Sequence, residues 1–116
     1  MNMQRLIAAS LIGSILQIAM VVAGHWLPAV RGAFMFGGLG LSLVAGAIYV
    51  LGGQTSLRSA AAGGTIAGAV SAFAGIAVSC LLGDVAPSLL LLGTSGSAVT
   101  GLIGGLIARP FAKRII

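Results

Sequence analysis

Residues 60–82 read AAAGGTIAGAVSAFAGIAVSCLL, 23 residues with no charge and no proline. A helix rises 1.5 Å per residue, so about 20 apolar residues cross a ~30 Å hydrocarbon layer. This run is long enough. Small residues recur along it at every fourth position: Gly63, Ala67, Ser71, Gly75 and Ser79. A step of four keeps them on one slowly drifting helix face. Such a face lets backbones approach closely, which is how helices associate once lipid has removed the hydrophobic drive. Gly64, Gly68 and Ala72 form a second small face beside the first. Two small faces on one helix predict two neighbours.

The pattern extends outward from this stretch. Apolar runs over 6–23, 32–52 and 88–108 complete a set of four, separated by short loops. The second run carries Gly38, Ser42 and Gly46; the fourth carries Gly93, Ser97, Gly101 and Gly105, with Gly96, Thr100 and Gly104 alongside. The first run is weaker in this respect, with Ala9 and Gly13 followed by Gln17. The runs are too long for strands and lack period-two alternation. The expected fold is therefore all-α: one polytopic membrane domain over residues 1–116 with four transmembrane helices. Short links make sequential helices antiparallel neighbours. Pro28 and Pro87 fall where a helix would restart, and a first turn tolerates proline.

Composition agrees. Of 116 residues, 59% are hydrophobic and 6% charged, against roughly 25% charged in soluble domains. Mean hydropathy is +1.18. Such a chain cannot cover itself with a wetted surface, and it is too apolar for disorder. The net charge of +5 is spread thinly along the chain, which makes no basic face and predicts no nucleic-acid partner; its expected surroundings are the lipid bilayer and anionic headgroups. Cys80 is the single cysteine, so no intrachain disulfide or cysteine metal cluster can form.

The cations also predict orientation. Arg5, Arg58, Arg109, Lys113 and Arg114 fall on one side of a four-span arrangement, and Arg31 on the other beside Asp84. The positive-inside rule then places both termini in the cytoplasm, in an inner or plasma membrane. Trp26 fits an interfacial anchor on the far side. Residues 1–23 also have the outline of a weak secretory signal, with Val21-Val22-Ala23 as a small-residue cleavage site.

A shift of 59 residues brings landmarks into register. Gly24 falls on Gly83, Pro28 on Pro87, Gly37 on Gly96 and Gly46 on Gly105, within eight identities over 7–48 and 66–107. Both hairpin loops read Gly-x-x-x-Pro. This suggests two tandem helical hairpins related by an axis along the membrane normal.

Polar residues inside the spans are few. Gln17 is the only amide there, and a buried amide needs partners. Thr94, Ser95 and Thr100 cluster in the fourth span and, with Gln17, form a candidate polar path. His25, Arg31 and Asp84 form a candidate polar group in the far-side loops. One acid and one histidine are too few for paired-carboxylate, triad or intrachain metal chemistry, so neither catalysis nor a cofactor is expected. Length and span number invite comparison with small multidrug transporters and fluoride channels. The first-span glutamate of the former and the span asparagine of the latter have no counterpart here.

Two functions remain as expectations. One is an accessory or structural subunit that packs through its glycine-rich faces in a homo-oligomer or a larger membrane complex. The other is an oligomeric channel or uncoupled small-solute transporter.

Overall fold

The computed structural model describes residues 2–32, 34–52 and 56–115, and the side chains of residues 30, 31, 34, 35 and 112–115, Arg31, Lys113 and Arg114 among them, lie outside the described residues. Every element among the described residues is helical: α1 (Met3–Trp26), α2 (Pro28–Gly32), α3 (Phe34–Leu51), α4 (Leu57–Leu81) and α5 (Leu89–Ile115). Three of them, α1, α4 and α5, are long and apolar enough to cross a membrane. The fourth long helix, α3, is shorter at 18 residues, about 27 Å at 1.5 Å per residue. The expected second span over 32–52 corresponds to α3, and Pro28 opens a separate short helix ahead of it. The first span is longer than its apolar run: Asn2 caps α1 by accepting from the Arg5 N–H, and the helix continues through Gly24 and His25.

The end of α4 shows why one glycine is fixed by conformation. Gly83 is the one described residue with φ in the left-handed region, at +79°. Its N–H donates to the Cys80 carbonyl, and the Asp84 N–H donates to the Ser79 carbonyl, both at 3.0 Å. This pair of bonds closes the helix in a Schellman turn. Gly24, its partner in the 59-residue register, is buried inside α1 instead. The shared Gly-x-x-x-Pro spacing therefore builds two different connections.

The long helices form a bundle 42 × 22 × 21 Å. In cross-section it is a rhombus. α3 and α4 touch across the short diagonal, and each also packs on both α1 and α5. Among the described residues α1 and α5 do not meet. Side-chain pairing fixes the directions. Arg5 reaches Tyr49 and Gln17 reaches Gly38, so α1 and α3 are antiparallel. Gly13 lies against Ser71 and Gly75 against Gln17, so α1 and α4 are parallel. Gly68 lies against Ser97 and Gly105 against Ala60, so α4 and α5 are antiparallel.

Small residues are inside and large ones outside. Gly64 and Gly68 face Gly101 of α5, while Gly63 faces the Tyr49 ring of α3 and Ser71 faces Gly13 of α1. Gly101 faces α4, and Gly96 and Gly104 face Leu39 and Leu43 of α3. Both small faces of α4 and of α5 thus find their partners within the chain. The perimeter carries exposed Ile7, Leu11, Ile15, Val70, Phe73, Leu91, Val99 and Ile107. This is the distribution a bilayer selects, since lipid solvates large apolar side chains and close packing requires small ones.

Candidate functional site

The two halves of the bundle axis differ. Toward the end that holds Arg5 and Arg58, the axis is closed by backbone. A Cβ added at Gly46 would collide with the Gly101 carbonyl oxygen, and one at Gly104 with that of Leu43. At Gly68 it would lie 2.6 Å from the Ser97 oxygen and 2.8 Å from the Gly101 Cα. Tyr49 is 0% exposed and fills the end of this half. Its hydroxyl accepts from the Asn2 N–H at 3.1 Å and shares a 2.8 Å hydrogen bond with Ser59 Oγ. The Arg5 guanidinium donates to the Tyr49 and Val50 carbonyls, the first from Nε at 3.0 Å. It also lies 5.0 Å from the centre of the Tyr49 ring. These carbonyls end α3, where the helix dipole favours a cation. Arg5 and Tyr49 were missed as a pair in the sequence because 44 residues separate them and nothing local links a terminal arginine to a tyrosine near the end of a later helix.

Toward the other end the helices part around a cavity of about 410 Å³. All four long helices line it, together with Val85 of the α4–α5 connection. Gln17 lines the cavity and links α1 to α3. It is 2% exposed. Its amide nitrogen donates both protons to α3, at 2.8 Å to the Gly38 carbonyl and 3.1 Å to Ser42 Oγ. Ser42 Oγ in turn donates to the Gly68 carbonyl of α4 at 3.2 Å. A polar relay therefore runs from α1 through α3 to α4 where the packed half begins. A carbonyl accepting from a side chain retains its helical bond as well, because it has two lone pairs.

Ser79 also lines the cavity. It is 1% exposed, and its hydroxyl has no hydrogen-bond partner among the described residues. An unpaired buried hydroxyl costs about 1–3 kcal/mol. Ser71 shows the ordinary outcome, donating to the Ala67 carbonyl one turn back at 2.6 Å.

The remaining candidate polar residues do not join Gln17. Ser95 is exposed, and with Thr94 it lines a separate shallow groove beside Phe73, Leu90 and Leu91. Thr100 Oγ1 donates to the Ser97 carbonyl at 3.1 Å, within its own helix. The four residues of the expected polar path therefore fall in three places, because Thr94 and Ser95 face away from the α3 side of their helix. The packing residues, by contrast, come together. Gly38, Ser42, Gly46, Gly63, Ala67, Ser71, Gly75, Gly93, Ser97, Gly101 and Gly105 all face other helices or the cavity, as their burial and neighbours show.

The loop group is assembled in part. His25 Nδ1 lies 3.0 Å from Asp84 Oδ2, joining the end of α1 to the α4–α5 connection beside the cavity. The Trp26 ring meets the His25 ring edge-on at 5.0 Å. The third member, the Arg31 side chain, lies outside the described residues. Among the described residues no three of His, Cys, Asp and Glu come together to hold a metal. No protein-family model matches the chain, and neither does any curated protein or solved structure.

Proposed function

We propose that the chain is a non-catalytic integral membrane protein that crosses the bilayer four times, with both termini on the cytoplasmic side, and serves as a structural or accessory subunit of a larger membrane assembly. The observation that carries this reading is the division of side chains. Backbone contacts between glycines hold the interior, and large apolar side chains cover the perimeter on every long helix. Such a bundle offers lateral surface to lipid or to another membrane protein. Association then uses this perimeter rather than the glycine faces, which meet inside the chain.

Topology is supported by charge. Arg5, Arg58 and Arg109 belong to one end of the antiparallel bundle, and His25 and Asp84 to the other. The tandem-hairpin relation draws support from parallel α1 and α4, which pair at an offset close to that of the sequence landmarks (Gly13 on Ser71). It is weakened by the unequal diagonals of the rhombus, since exchange of the hairpins would make the α1–α5 and α3–α4 relations alike.

The test is the mass and content of the native assembly after extraction in mild detergent. A stoichiometric protein partner, or a defined homo-oligomer, is expected. A particle containing one copy alone would overturn the subunit reading. Orientation is tested with a membrane-impermeant maleimide on Arg58→Cys and Asp84→Cys in a Cys80→Ala background, with Arg58→Cys expected to react only from the cytoplasmic side.

One observation favours the second reading, transport: a cavity lined by Gln17 occupies the half of the axis toward His25 and Asp84. With the other half closed by Gly46, Gly68, Gly101 and Tyr49, an uncoupled transporter would have to open that half, and a channel would run between copies. Flux in liposomes that Gln17→Leu abolishes would support this reading; flux equal to that of empty vesicles would remove it.

A further inference from the structure

We infer that the axial cavity is a binding site for a small uncharged amphiphile: an apolar body of a few to ten carbons with one hydrogen-bonding head directed at Ser79. Volume, lining and the hydroxyl support this together. At about 410 Å³ the cavity is within the size of small-molecule sites. Its walls are Val21, Leu39, Ala72, Ile76, Leu89 and their neighbours, with Gln17, Ser79 and Ser97 as the polar members and no charged side chain among the described lining residues. An ionised ligand would have no countercharge there and would forfeit its hydration. A wholly apolar one would leave the Ser79 hydroxyl unpaired, as it is now. The Gln17 amide protons are already committed to Gly38 and Ser42, and of the lining hydroxyls that of Ser79 is the buried one with no partner among the described residues, so the head is assigned to it. A hydroxyl donates and accepts, so an alcohol suits it. The site stands apart from the subunit reading, because it needs no partner protein and lies inside the bundle.

The experiment uses the full chain in lipid nanodiscs and a medium-chain alcohol, octanol bearing a diazirine, with labelled residues located by mass spectrometry. Labelling is expected on cavity residues such as Ile76 and Leu89, and unlabelled octanol should displace it while octanoate should not. Gly96→Leu projects a side chain from the cavity wall at a position where a Cβ meets Leu39 at an ordinary 3.6 Å; it is expected to lower that labelling about tenfold. Ser79→Ala, which fills nothing, is expected to weaken displacement by octanol about three- to tenfold. Labelling confined to perimeter residues such as Leu11 and Ile103, or cavity labelling unchanged in both variants, would overturn the site. Loss in Gly96→Leu with no change in Ser79→Ala would overturn the assignment of the head to Ser79, as would equal displacement by octanoate. Perimeter labelling in each variant reports whether the bundle has kept its fold.

Discussion

The two halves of the axis are made from the same kinds of residue and differ in what those residues meet. In the Arg5 half, Gly46, Gly64, Gly68, Gly101 and Gly104 meet backbone atoms of the facing helix. In the His25 half, Gly96 meets a leucine methyl and Gly38 the Gln17 amide oxygen at an ordinary 3.6 Å, while Gly37 and Gly93 meet the flexible ends of the Met20 and Ile76 side chains rather than backbone. Within the bundle a glycine is required most strictly where backbone approaches backbone, because a helix cannot yield as the end of a flexible side chain can. The same i, i+4 pattern therefore builds a closed contact in one half and the wall of a cavity in the other. The Gln17–Ser42–Gly68 relay marks the border.

The largest effect is expected for Gly68→Leu. Its Cβ would fall 2.6 Å from the Ser97 carbonyl oxygen and 2.8 Å from the Gly101 Cα, and helix backbone cannot yield as a side chain can. A loss of about 3 kcal/mol or more is expected, at or beyond the upper end of ordinary overpacking, read as unfolding at markedly lower SDS fraction. A loss below 1 kcal/mol would show that this half is not closed by backbone contact.

Gln17→Leu tests the border. It removes two hydrogen bonds between α1 and α3 and leaves the Ser42 bond from α3 to α4 in place. A destabilisation of about 1–2 kcal/mol is expected in the same titration. No change would mean that the relay contributes nothing to joining the halves. Gly83→Ala acts at the cavity end, where φ is +79°. A left-handed alanine costs about 1–2 kcal/mol, and the expected sign is seen as faster amide exchange at Gly83 and Asp84.

The smallest effect belongs to the pair that joins α1 to the α4–α5 connection. His25 is partly exposed and the Asp84 side chain is 8% exposed. A double-mutant cycle of His25→Ala and Asp84→Asn is expected to give a coupling of about 1 kcal/mol or less. A larger value would mean that the cavity half is held by this clamp more than by its helices.

Much of this was legible in the sequence for a physical reason. Periodicity of four is a local property, so the small faces of α4 and α5 could be read from residues 60–82 and 88–108 alone. Which partner each face meets is not local. The second faces predict a second neighbour without saying whether it lies inside the chain; in the bundle Gly64 meets Gly101 and Gly104 meets Leu43. Hydroxyls misled in the same way. Thr94, Ser95 and Thr100 are close in sequence, but a helix turns 100° per residue, and only rotation about the α5 axis decides that Ser95 faces outward. Ser79 was read as one more small residue on a packing face. Its missing hydrogen bond appears only when α5 and the α4–α5 connection are placed around it.

The most direct test of the division into halves substitutes alanine at two glycines of one helix. Gly101 and Gly96 are both on α5, and both would gain in helix propensity, by about 1 kcal/mol at most. Gly96→Ala adds a methyl at an ordinary contact distance, whereas Gly101→Ala places one against the Gly64 carbonyl and 2.8 Å from the Gly68 Cα. Reversible unfolding in bilayer-like micelles is expected to show Gly96→Ala unchanged or slightly stabilised and Gly101→Ala destabilised by about 2 kcal/mol or more. Equal effects at the two positions would contradict the account, because they would mean that one kind of packing runs the whole length of the axis.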